Sequence, residues 1–174
     1  MTRTYLTTLV PIEAGREEAL RKTLADLPTG ADSPFHRVAG THMARLCVLD
    51  HYGGTLFGPL CHRSLGPALL VLTAVVDGPA LAWADRLPGT IGATVESVWT
   101  HCSGFPGADN AGAFARWLLD HEVAASFSVI ANHDTVEAVR KGLDLRARLG
   151  QFAARLQGAA PAAVRAAYRQ GFDR

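Results

Sequence analysis

Residues 68–76, ALLVLTAVV, form an almost unbroken apolar run closed by Asp77-Gly78-Pro79. The length and β-branched content of the run suit a strand, and the Asp-Gly-Pro group stops it. Alternation places Leu69, Val71 and Val75 on one face and Leu70, Leu72, Ala74 and Val76 on the other. A small antiparallel sheet with helices on one side ordinarily leaves its other face wet and polar. Both faces are apolar here, so both need cover, and no segment of the chain is spare for the second. A second copy of the sheet is the economical cover, which predicts a homodimer.

The remaining elements follow from periodicity and punctuation. TYLTTLVPI, residues 4–12, reads as a first strand. A helix over 13–27 carries Leu20, Leu24 and Leu27 as one stripe, with Glu17–Arg21 and Glu18–Lys22 as i,i+4 pairs on its wet side. The loop PTGADSPF leads to a second strand over 37–50. HYGGTLFGPLCHRSLGP, residues 51–67, is too long for a tight hairpin and is expected to be a lid or binding loop. After the third strand come two short helices, 79–87 with Pro88-Gly89 as its stop, and 90–100. A helix over 111–121 is capped by Asn110 and buries Phe114, Trp117 and Leu118. VAASFSVIA, 123–131, is a fourth strand, with Ser126 and Ser128 on one of its faces. Asp134-Thr-Val-Glu137 opens a long helix like a capping box, and Pro161 opens a short terminal one. The order β-α-β-β-α-β predicts an α+β, ferredoxin-like sheet with helices on one face, over residues 1–157, and a C-terminal helical extension over 158–174.

Composition bounds the partners. With 17 basic and 16 acidic residues the net charge is +1, which gives no electrostatic footprint for nucleic acid or an anionic membrane. No apolar run reaches the eighteen or so residues of a membrane span. The start, MTRTYLTTLVP, lacks the apolar core of a signal peptide. Three cysteines, without a CxxC pair, suit a reducing compartment, so a cytoplasmic location is expected. There is no HExxH, no Walker or Rossmann glycine pattern and no GxSxG, which sets aside metalloprotease, nucleotide-binding and α/β-hydrolase readings.

The chemistry concentrates in THMARLCVLD, residues 41–50. Regular alternation places His42 with Ala44, Leu46, Val48 and Asp50, and Arg45 with Met43, Cys47 and Leu49. His42 and Arg45 therefore share a pocket only if a bulge intervenes. Arg45 is charged at every accessible pH, so it needs water, a bound ligand or a carboxylate such as Asp50 or Asp77. His101 follows a helix end and precedes a Gly/Pro turn. One role for it is to satisfy the last helical carbonyls. The neighbouring Cys102 has no zinc spacing.

Thr41-His42-Met43-Ala44-Arg45 through Leu49-Asp50, the strand closing on Asp77-Gly78, and Trp99-Thr-His101-Cys102-Ser-Gly104-Phe-Pro106-Gly together resemble the dimeric α+β barrel superfamily. The likeness is nearest to its dye-decolourising peroxidase and chlorite dismutase-like members and spans about residues 1–157. It implies a homodimeric α+β barrel, oxidation of a small, largely apolar metabolite, and haem as a possible cofactor. It further implies catalytic roles for Arg45, His42 and Asp77, with Arg45 stabilising anionic oxygen. His101 would ligate the haem iron, with Trp99 beside it. Two other readings stand open: a cofactor-free cyclase or isomerase with His42 or His101 as general acid/base, and a non-catalytic protein that binds a small ligand.

Overall fold

The computed structural model describes residues 3–54, 61–124 and 134–172, and of 52–54 and 61–63 the backbone alone. The chain divides into two compact units, Met1–Val136 and Glu137–Arg174. The division falls near residue 136, whereas the sequence reading put it at 157.

The first unit is α+β. Among the described residues its sheet has three antiparallel strands, β1 (Arg3–Pro11), β2 (Thr41–Gly54) and β3 (Cys61–Asp77), in the order β1-β3-β2. Helix α1 (Glu17–Asp26) joins β1 to β2 through two short 3-10 turns, Gly30–Asp32 and Pro34–Arg37. Helices α2 (Ala80–Trp99) and α3 (Ala111–Asp120) follow β3. The expected fourth strand falls mostly on 125–133, outside the described residues, as do Ser126 and Ser128. Its approach is visible: Glu122 bridges Thr8 in antiparallel sense, Val123 N–H donates to Thr7 C=O at 2.9 Å, and Leu9 N–H donates to His121 C=O at 3.0 Å.

The two faces predicted for β3 separate as alternation requires. Leu70, Leu72, Ala74 and Val76 are buried against the helices with Leu6 and Val10 of β1. On the opposite face Val75 is buried, but Tyr5, Met43 and Leu49 are exposed. At about 25 cal/mol per Å² of apolar surface, the helix-covered side supplies the stabilising burial.

Three details refine the expectation. The two helices expected over 79–100 are both present along α2, and they meet at Ile91, whose φ −134° and ψ 38° are non-helical, rather than at Pro88-Gly89. Pro88 cannot donate to the preceding turn and disrupts the helix locally. Trp83, Leu87, Ile91, Val95 and Val98 nevertheless keep one buried stripe, so both halves are held in the core. Second, the expected loop 51–67 is largely strand: β2 runs on to Gly54 and β3 begins at Cys61, pairing His51 with Ser64 and Gly54 with Cys61. Only 55–60 lie outside the described residues within it. Third, Arg21 pairs with Asp50 of β2, across the α1–β2 contact. Asn110 caps α3 as its position predicts, its Oδ1 accepting the Ala113 N–H at 3.0 Å.

The second unit is a pair of helices, the body of α4 (Val136–Arg155) and α5 (Pro161–Phe172). Phe152 meets Phe172 edge-on at 5.4 Å, and the Arg148 guanidinium lies 5.2 Å above the Phe172 ring while donating to Gly171 C=O at 3.1 Å. Leu143 and Leu149 of α4 are exposed.

Candidate functional site: a cleft along the edge of β2

Strand β2 is the last in the described sheet, so its outer edge has no strand neighbour among the described residues. The segment after α1 turns back over that edge because Pro34 and Phe35 are buried, anchoring an otherwise polar loop. Between loop and strand lies a cleft of about 380 Å³. Leu24 of α1, its C-cap Leu27, Phe35 and Leu46 contribute to the apolar wall, and His36, His42 and Arg45 bring polar groups to it. The cleft lies within the range of small-molecule sites, which pair an apolar wall with a few polar groups.

A β-bulge brings His42 and Arg45 to the same cleft. Thr41 pairs with Val76 and Met43 with Val75, so His42 is the extra residue on its strand. The bulge breaks the alternation that would have set His42 on the opposite face from Arg45. Thr41 faces the helices, and its Oγ1 accepts the buried Trp83 indole N–H at 2.8 Å. His42 instead reaches the end of β3, where its Nε2 lies 2.8 Å from Asp77 Oδ1. Gly40 makes the approach possible: at φ +81° it turns the chain into the bulge, and its carbonyl accepts the Asp77 N–H at 2.8 Å. A Cβ at this position would lie 3.3 Å from the Asp77 Cβ in a backbone conformation that side chains disfavour.

Asp77 is held by more than the histidine. Its Oδ2 accepts the backbone N–H of Val136, the first residue of α4, at 2.9 Å. Burial raises the carboxyl pKa, but the hydrogen bonds from Val136 and His42 outweigh it, so the group ionises below its ordinary range. An ionised carboxylate only accepts, so His42 donates to it through Nε2–H, and in the neutral tautomer that this selects Nδ1 is the basic nitrogen. This arrangement fits an imidazole oriented to take and return a proton.

Arg45 is not the buried charge that its place mid-strand suggested. It is exposed at the cleft mouth and makes no ion pair among the described residues. Both carboxylates considered as its partners are engaged elsewhere, Asp50 by Arg21 and His51, Asp77 by His42 and Val136. The His51 and Arg21 contacts hold the Asp50 pKa at about 2.

Trp99 and His101 lie apart from this cleft. Trp99 is fully buried and meets Phe114 edge-on at 5.3 Å. His101 follows the end of α2, its carbonyl accepts the Glu13 N–H at 3.0 Å, and its Nδ1 is enclosed without a hydrogen-bond partner among the described residues. Neither residue borders the β2-edge cleft. Burial pushes the neighbouring Cys102 thiol up to about 12, with Glu13 adding to the effect, so it stays protonated at neutral pH. His101 and Trp99 thus present an enclosed imidazole nitrogen and a buried indole, and neither lines an open face for a cofactor such as haem. A contact of the kind read for His101 is made instead at the end of α3, where the His121 Nδ1 lies 2.8 Å from Trp117 C=O. Among the described residues no group of three or more His, Cys, Asp or Glu is placed to hold a metal ion, and no helix is long and apolar enough to cross a membrane.

His36, Phe35 and the α1 leucines were not singled out from the sequence as cleft residues. The available signal was an aromatic beside a proline in a polar loop, Pro34-Phe35, which needs somewhere to bury. No family model, curated protein or solved structure matches the chain.

Proposed function

We propose that this protein binds a small, largely apolar molecule in the β2-edge cleft and performs cofactor-free acid/base chemistry on it, of the isomerase or cyclase kind. The observation that carries this reading is the 2.8 Å His42–Asp77 contact at the wall of a cleft with an apolar lining. Asp77 fixes the tautomer and favours the imidazolium once His42 has taken a proton, and the same ring then returns it. The test is a ligand-observed NMR screen of small carbonyl compounds, followed by exchange of the bound ligand's α-hydrogens in D₂O. Wild type should catalyse exchange and His42→Gln should not. Bound ligands that wild type leaves unexchanged would favour the non-catalytic, ligand-binding reading.

We propose a ferredoxin-like sheet for the first unit. The β1-β3-β2 order, with residues 121–123 reaching the free edge of β1, supports this architecture. A second copy is the proposed cover for the apolar outer face bearing Tyr5, Met43 and Leu49, as in a dimeric α+β barrel. The cytoplasm is the proposed setting, supported by the unbonded thiols of Cys47 and Cys102. The oxidative, peroxidase- or monooxygenase-like reading rests on the sequence resemblance alone. A spectrum of the purified protein tests its haem form: an absorption band near roughly 400 nm that vanishes in His101→Ala would replace the cofactor-free reading.

A further inference from the structure

We propose that the β2-edge cleft selects an organic monoanion, a molecule with an apolar body and a carboxylate head, and that Arg45 is the residue that pairs with the head. The inference rests on the reading of this cleft as the ligand site and names the class of ligand it takes.

The charge distribution carries it. The cleft wall holds Arg45, His36 and His42 and no carboxylate. Asp77, the acidic group in contact with His42, has both oxygens occupied, Oδ1 by the imidazole and Oδ2 by the Val136 N–H. Asp50, farther along β2, is held by Arg21 and His51. The Arg45 guanidinium thus faces the cleft with a full positive charge and no carboxylate partner among the described residues. Its planar fork matches a carboxylate in two parallel hydrogen bonds.

The walls set the orientation. Leu24 lies in the last turn of α1 and Leu27 is its C-cap, and the final carbonyls there carry partial negative charge and repel an anion. The head therefore lies at the strand side by Arg45, with the apolar body toward Leu24, Leu27 and Phe35. Arg45 is the permanent cation of the wall and the ionised Asp77 lies behind His42, so the site matches one carboxylate charge better than a phosphate dianion.

The test uses matched probes that differ in charge and little in shape: phenylacetate against phenylacetamide, and octanoate against octanamide. Dissociation constants are measured by titration calorimetry on wild type, Arg45→Gln, Arg45→Lys and Leu27→Trp, with circular dichroism as the fold control. Wild type should bind each carboxylate about tenfold tighter than its amide, and added salt should narrow the gap. Arg45→Gln should abolish the difference while leaving amide affinity unchanged, Arg45→Lys should restore part of it, and Leu27→Trp should block all four probes. Equal affinity for acid and amide, failure of both carboxylates to bind, a preference that survives Arg45→Gln, or binding that survives Leu27→Trp overturns the proposal. Carboxylate preference without α-hydrogen exchange would remove the acid/base reading and leave this inference standing. Exchange of neutral carbonyl compounds with no such preference would do the reverse.

Discussion

His42 and Asp77, 35 residues apart in sequence, meet at 2.8 Å, and the contact ties the bulge of β2 to the last residue of β3. Because Asp77 also accepts the first N–H of α4, one carboxylate joins strand, bulge and helix start. The same contact orients the imidazole proposed to move protons and places it beside Arg45 in the cleft.

Acid should release this junction. The folded-state pKa of Asp77 lies below the ordinary value of 3.8, so between the two the unfolded chain binds a proton that the folded chain does not. Its stabilising contribution is complete above the ordinary carboxylate range and is lost as pH falls through that range to the folded-state value. Urea midpoints measured from neutral to acid pH should decline, and Asp77→Asn should flatten the decline while lowering stability at neutral pH by about 1–3 kcal/mol. An unchanged acid limb in Asp77→Asn would assign the loss to other carboxylates.

The other arm of the bulge is structural. Thr41→Val keeps the shape of the side chain but leaves the buried Trp83 indole N–H without its acceptor. A stranded donor costs about 1–3 kcal/mol, so the thermal midpoint should drop. A neutral result would mean that another acceptor or water takes its place.

Arg45→Leu separates the two origins considered for the charge. An arginine held by a buried carboxylate would leave that anion unpaired on removal, at about 3–5 kcal/mol. The structure shows Arg45 exposed and unpaired among the described residues, so the substitution should change stability by no more than about 0.5 kcal/mol or raise the melting point slightly. Ligand affinity should collapse in the same variant. A sharp fall in melting temperature contradicts the functional assignment.

For the outer sheet face, light scattering on a sizing column should give twice the chain mass of 18.5 kDa at micromolar concentration. Leu49 is an exposed apolar residue there, and Leu49→Lys should shift the population toward monomer with little loss of secondary structure. A wild-type monomer would leave the two-sided apolar strand without its proposed cover.

Local pattern in the sequence determined much of the framework. The two faces of β3, the buried stripe of α2 and the Asn110 cap all depend on residues within a turn or two of each other. Periods of 2.0 and 3.6 residues convert such spacing directly into faces. Pro88 marked a helix break, which the structure places three residues on at Ile91, and burial of Trp83, Leu87, Ile91 and Val95 along one stripe decided that both halves stay in the core. The candidate site belongs almost wholly to tertiary structure. Register decided that His42 is an extra residue in its strand, and so decided which face it joined. Asp77 gained a partner 59 residues away in Val136, and Arg45 lost two prospective carboxylates to Arg21 and His42. The cleft exists because a loop anchored by Phe35 closes over a strand edge. Which groups meet across such distances depends on how strands align and where the chain returns, and the spacing of residues along the sequence carries no measure of either.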